Sequence, residues 1–119
     1  MKLSGRYVAL VDNDLAVLDS LKFLLELDGY PVAIYSSAAE FLDDRVTDPA
    51  CLIADQHMPG MTGLELATQL RGDGIDIPIL LITGSPSPVI VARAAQLGID
   101  VLEKPPNESD VLRFINAHL

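Results

Sequence analysis

Short apolar runs alternate with amphipathic stretches along this chain. Tyr7 to Val11 (YVALV) predicts a buried strand. Beyond it, Val17, Leu18, Leu21, Leu24 and Leu25 share one helical face, with Asp12 to Asp14 offering cap chemistry before them and Gly29 a stop after them. Pro31 to Tyr35 (PVAIY) predicts a second strand, and its proline places it near a sheet edge. Ser37 can cap a short helix through Phe41 and Leu42. Cys51 to Ala54 (CLIA) predicts a third strand, and Leu64, Ala67 and Leu70 stripe a helix stopped by Gly72 and Gly74. Ile77 to Thr83 (IPILLIT) predicts a fourth strand, Val89 to Leu97 a helix closed by Gly98, and Ile99 to Glu103 (IDVLE) a fifth strand. After Pro105 and Pro106, Val111, Leu112 and Ile115 mark a last helix, capped by Asn107 or Ser109.

Five β-α units in succession imply a parallel sheet with helices on both faces, because strands this apolar must be buried on both sides. No linker or low-complexity segment interrupts the rhythm, so the 119 residues read as one domain with no effector domain in this chain. Hydrophobic residues make up 50% and aromatic residues 5%, which predicts an aliphatic core. The net charge of -9 repels phosphate backbones and anionic membrane surfaces, so direct nucleic-acid binding is not expected. No segment approaches the ~18 apolar residues of a membrane span. The N-terminus (MKLSGRYVAL) turns polar too soon for a secretory signal, and a cytoplasmic location is the expectation. Cys51 is the only cysteine, which leaves no internal disulfide; within CLIAD it reads as a small core residue.

Ligands of such sheets bind beyond the carboxyl ends of the strands. Those ends carry Asp12, Asn13 and Asp14, then Asp55, Thr83 and Lys104; Ser36 and Ser37 follow the edge strand. A buried carboxylate is costly without a partner. Three explanations stand for the first triplet: a helix cap, a metal ion or a catalytic proton site. Taken singly, the triplet can cap a helix, Asp55 can open an Asx turn, Thr83 can simply end a strand and Lys104 can be a solvated surface lysine. Taken together on one rim they suit a phosphoryl group. Grouped acids fit Mg²⁺, which often also takes a phosphate oxygen. Lys104 supplies a positive charge and Thr83 a donor. Asp55 leaves a buried strand directly into a loop, where its carboxylate can act as a nucleophile and form an aspartyl phosphate.

These segments resemble the response-regulator receiver domain of two-component signalling, in its FixJ-type branch, over nearly the whole chain. The acidic pocket matches LVDND; the phosphoacceptor segment matches IADQHMPGMTGLEL, with Met58, Pro59, Gly63 and Leu64 in place; the switch hydroxyl matches Thr83 in LLITG and the lysine Lys104 in LEKP. The resemblance implies a flavodoxin-like (βα)5 doubly wound parallel sheet in strand order 2-1-3-4-5. It implies that a histidine kinase or phosphotransfer protein phosphorylates Asp55. It implies Mg²⁺ held by the strand-one pocket (Asp12 and Asn13), by Asp55 and by the His57 backbone carbonyl, and Thr83 and Lys104 on the phosphoryl oxygens. Asp14 can instead rotate in as a metal ligand. The Lys104-Pro105 bond is a candidate cis peptide. Output is expected through the fourth helix, fifth strand and fifth helix, to an effector domain, a downstream protein or a second copy in a homodimer. The chain is then no enzyme beyond self-phosphorylation and autodephosphorylation at Asp55.

Three positions depart from the family pattern. Asn13 replaces the second acid of the pocket, Val101 replaces the switch aromatic three residues before the lysine, and Lys-Pro-Phe becomes Lys104-Pro105-Pro106. Pro106 removes a backbone donor and stiffens the entry to the last helix, and Pro86 and Pro88 restrain the loop after the fourth strand. His57 reads as an exposed loop residue or as a gate for water near the acyl phosphate. Two other functions compete with the phospho-accepting receiver. A pseudo-receiver would bind a partner without phosphorylation, in keeping with Asn13 and Val101. A haloacid-dehalogenase-type phosphatase would use Asp12-x-Asp14, although Ala16 stands where that motif has Thr or Val.

Overall fold

The computed structural model describes residues 7–44 and 48–118; most of the N-terminal segment just considered as a signal lies outside them. The elements run β1 (Val8–Val11), α1 (Leu15–Leu27), β2 (Val32–Tyr35), α2 (Ala38–Asp44), β3 (Cys51–Asp55), α3 (Gly63–Gly72), β4 (Ile79–Thr83), α4 (Pro88–Leu97), β5 (Asp100–Glu103) and α5 (Glu108–Ala117). All strand pairs are parallel, and the sheet order is β2-β1-β3-β4-β5, the flavodoxin-like order that the family resemblance implies.

The two-residue period of a strand divides the core in two. Ala9, Val11, Leu52, Ala54, Ile79 and Leu81 pack with Phe41, Leu66, Leu70 and Ala94 under α2, α3 and α4. Val8, Leu10, Ile53, Leu80 and Ile82 face the other way, onto Leu18, Leu25, Val111, Phe114 and Ile115 of α1 and α5. Cys51 is buried in this second layer. Among the described residues no helix is long and apolar enough to cross a membrane.

Some boundaries differ from the sequence reading, each for a local reason. Tyr7 and Pro31 stand outside the strands, yet Tyr7 O accepts from Ala50 N and Pro31 O from Val8 N. β4 starts at Ile79 rather than Ile77; Pro78 has no N–H to give the ladder, although its carbonyl accepts from Leu52 N. Gly72 is the last residue of α3 and does not stop it; Asp73 is the C-cap. Asp28 rather than Gly29 occupies the C-cap of α1. Asn107, not Ser109, caps α5. β3 runs one residue further than expected, through Asp55. Gly98 closes α4 as predicted, with a φ of 69° that favours glycine.

Two side chains tie the helices to one another. The Tyr30 hydroxyl, after α1, hydrogen-bonds Asn116 Oδ1 on α5. Arg71 on α3 donates from Nε to Leu97 O at 2.9 Å and from Nη1 to Ile75 O at 2.8 Å, so one guanidinium holds the carboxyl end of α4 and the turn into β4.

Candidate functional site

The strand order reverses between β1 and β3, which opens a crevice beyond their carboxyl ends. Asp12 follows β1, Asp55 ends β3, and with Leu10, Leu18 and Ile53 they line a small cavity of about 10 Å³. Asp55 is 4% exposed. Lys104 Nζ stands 2.6 Å from its Oδ1. Apart from that ammonium, this oxygen has no hydrogen-bonding partner among the described residues. The ammonium takes one direction on this oxygen, and the carboxylate can still accept further bonds.

Lys104 is positioned from β4: its N–H donates to Thr83 O at 2.9 Å, and a cis Lys104-Pro105 bond follows, as the sequence suggested. Burial alone would lower the pKa of the ammonium. The hydrogen bond and charge of Asp55, with the charges of Asp12 and Asp14, outweigh it and hold the pKa above the usual lysine range. Burial pushes the Asp12 carboxyl above the usual carboxylate range, and the charges of Asp55 and Asp14 add to this. The Asp14 N–H, which donates to Asp12 Oδ1 at 2.9 Å, and the Lys104 charge offset the rise only in part.

The other members of the triplet lie at the rim. Asn13 is exposed. Asp14 is exposed and is the N-cap of α1, its Oδ1 accepting from Ala16 N at 3.0 Å and Val17 N at 3.4 Å. Helix capping thus accounts for Asp14 and leaves Asp12 to the pocket. Thr83 is fully buried, and its Oγ1 accepts from Ser85 N at 3.2 Å, a tight turn at the start of the loop to α4. His57 is exposed, with Nε2 3.5 Å from Thr83 Oγ1. Val101 is half-buried on β5 and lines a groove of about 810 Å³ with Val91, Ala94, Glu103, Arg113 and Phe114, between α4 and α5.

The loop from β3 to α3 holds what the sequence reading missed. Gly63 at the start of α3 lies so close to β3 that a Cβ there would fall 2.6 Å from Asp55 O and against Leu81 Cδ1. Gly63 N donates to Gln56 O, and Leu64 N donates to the Gln56 side-chain Oε1 at 2.8 Å. Thr62 and Glu65 complete a capping box at the same helix end. The Thr62-x-x-Glu65 spacing was a visible signal for the box. For Gln56 the only sign was a polar residue directly after an apolar strand.

Mg²⁺ keeps several waters and needs only one or two protein carboxylates. The crevice has two, and apart from the Lys104 ammonium no donor serves Asp55 Oδ1 among the described residues. Among the described residues no three His, Cys, Asp or Glu side chains stand together as a metal cage. The donor set therefore fits a hydrated magnesium ion and not a closed protein-only site. A carboxylate paired with lysine and open to the rim can attack phosphorus, with the lysine offsetting negative charge.

Comparison with known proteins agrees with this geometry. Residues 8–116 match the family model of the response regulator receiver domain. The transcriptional regulatory protein FixJ of Azorhizobium caulinodans is 39% identical over 114 residues, which cover 94% of this chain and 54% of that protein. The response regulator protein TodT of Pseudomonas putida is 37% identical, with coverage of 94% and 50%. The chain thus spans about half the length of these curated relatives. The crystal structure of FixJ-N superposes with a TM-score of 0.84 at 32% identity, covering 96% of this chain and 95% of that one. The chain belongs to the response regulator receiver domain family, in its FixJ branch.

Proposed function

We propose that the chain is a phospho-accepting receiver of a two-component system or phosphorelay, and that Asp55 is the residue phosphorylated. The observation that carries this reading is the buried Asp55 carboxylate with the Lys104 ammonium 2.6 Å from it, at the switch point of the sheet. A phosphohistidine on a histidine kinase or phosphotransfer protein meets the rim. An Asp55 oxygen forms a bond to phosphorus as the donor's P–N bond breaks, and the donor imidazole keeps the electron pair. Lys104 stays on the carboxylate and the transferred oxygens and offsets their charge. Thr83 moves its hydroxyl from the Ser85 N–H toward a phosphoryl oxygen. When bound, Mg²⁺ neutralises charge on the phosphoryl group. The residues that would hold it are Asp12, Asn13, Asp55 and the His57 carbonyl, with Asp14 the remaining candidate.

Thr83 and Lys104 join the pocket to α4 and β5, and the groove beside Val101 is the output face. It takes an effector domain, a downstream protein or a second copy of the chain. The setting is cytoplasmic, and the net charge of -9 turns nucleic acid away from this domain. The pseudo-receiver is the second reading, favoured by Asn13 in place of an acid at the rim and by an Asp14 carboxylate committed to α1. Incubation with acetyl phosphate and Mg²⁺, followed by intact mass, separates the two. One phosphoryl group on the wild type and none on Asp55→Asn supports the receiver; an unmodified wild type favours the pseudo-receiver.

A further inference from the structure

Gln56 sits between the acceptor and the loop that follows it, and its polar groups face two neighbouring elements. Its N–H donates to Ile82 O of β4 at 2.9 Å. Its backbone carbonyl accepts from Gly63 N and its side-chain Oε1 from Leu64 N, the first two N–H groups of α3. The residue is 8% exposed, so this amide is a polar group taken from water for a specific bond. Thr62 Oγ1 serves the third N–H, Glu65 N, from the solvent side. Gln56 and Thr62 thus share one helix end, but only Gln56 is bonded covalently to the acceptor.

The consequence lies in the loop 56–62. Gln56 crosses it at its base, strapping the peptide after Asp55 to α3 where Gly63 already presses on Asp55 O. His57 follows immediately. We propose that Gln56 is a positioning residue: its side-chain latch to Leu64 fixes the peptide that carries the His57 carbonyl, and so sets Mg²⁺ affinity beside Asp55. This rests on the phosphoacceptor reading above.

The test compares two neutral substitutions at the same helix end. Gln56→Met keeps length and loses the acceptor; Thr62→Val loses the other cap and leaves the latch. Both are expected to lower the melting temperature without metal, Thr62→Val by about 4 °C. Mg²⁺ titrated alone against the amide NMR spectrum is expected to separate them. Gln56→Met weakens binding by about tenfold, the low end of what loss of an outer partner costs a metal site. Thr62→Val leaves it within twofold. Without metal, amide hydrogen exchange at His57, Met58, Gly60 and Met61 is expected to rise in Gln56→Met only. Labelling by acetyl phosphate then shows a raised half-saturating Mg²⁺ with the maximal rate within twofold of wild type. Equal Mg²⁺ shifts in the two variants, or a melting change with unaltered Mg²⁺ affinity, overturn the positioning role. If wild type binds Mg²⁺ but Asp55→Asn is still labelled, the acceptor assignment falls while the latch is judged on the titration. If wild type does not bind Mg²⁺, both fall.

Discussion

Lys104 Nζ reaches from the end of β5 to Asp55 Oδ1, 2.6 Å away at the end of β3, with the whole width of β4 between their strands. The contact spans three strands of the sheet. Lys104→Met leaves the Asp55 carboxylate buried and unpaired. Because the lysine side chain is 37% exposed, solvent screens the pair, and the loss of stability is set at about 1 kcal/mol at pH 7. The lysine pKa is raised in the fold, so its contribution is complete below the unfolded value near 10.5 and disappears as pH rises through the folded value. Thermal melts of the two proteins from pH 7 upward should therefore converge only in strong alkali. A constant difference across that range would mean that packing, not charge, is what the substitution removes.

Asp12 carries the opposite sign. Its folded pKa lies above 3.8, so holding it ionised in the crevice costs stability at neutral pH. The cost is absent below the unfolded value, builds as pH rises through the folded value and is complete above it. Asp12→Asn should raise the metal-free melting temperature at pH 7, and the gain should vanish toward pH 3. A gain that persists in acid would point to a cause other than charge.

Asn13 and Asp14 separate metal binding from capping. Asn13→Asp returns a charge to the pocket and should tighten Mg²⁺ by about tenfold, about 1.4 kcal/mol, while lowering the metal-free melting temperature. Asp14→Ala removes the α1 cap and should cost about 1 kcal/mol of stability with Mg²⁺ affinity within twofold of wild type. A large loss of Mg²⁺ binding in Asp14→Ala would mean that its carboxylate leaves the helix end for the ion.

Gly63→Ala places a methyl group against backbone, where nothing can yield. The expected cost is about 3 kcal/mol, a fall of about 12 °C in melting temperature, together with slower labelling at Asp55. Calorimetry checks the first and intact mass the second. A stable, normally labelled variant would show that α3 can withdraw from the acceptor freely.

With Val101 in place of an aromatic side chain, β5 would offer no ring to rotate on phosphorylation of Asp55. The hydroxyl is held by Ser85 N instead, so the shift should enter the loop at Ser85. Amide NMR of the acetyl-phosphate-treated protein should show its largest changes over residues 83–88 and along the groove beside Val101. Changes confined to β2 and α2 would reverse this assignment.

The strands and helices were legible because aliphatic runs and helical spacing survive any detail of the turns. Asp12, Asp55, Thr83 and Lys104 were legible as rim residues because a parallel sheet leaves their positions no other end. The direction each side chain takes was not. Asp14 looked equal to Asp12 in the triplet, yet one more residue of chain turns it onto the first turn of α1. Gln56 looked like loop, since its partner, Leu64 N, is an unpaired amide only once α3 has formed and has docked on β3 through Gly63. Pro78 shortened β4 by removing a ladder donor, while its carbonyl kept the register with Leu52.

Arg71 makes α4 a lever with its fulcrum at Leu97. The pinned end lies at the start of β5, and the other end, at Ser87, begins just past the Thr83–Ser85 turn. A push from that turn would be converted to rotation instead of sliding. Over a helix of about 15 Å, a step of about 1 Å at the Ser87 end becomes a tilt of about 4°. Pro88 would sweep the widest arc and Leu97 would hardly move, so Val91 would shift more than Ala94 and Ala95 along the groove.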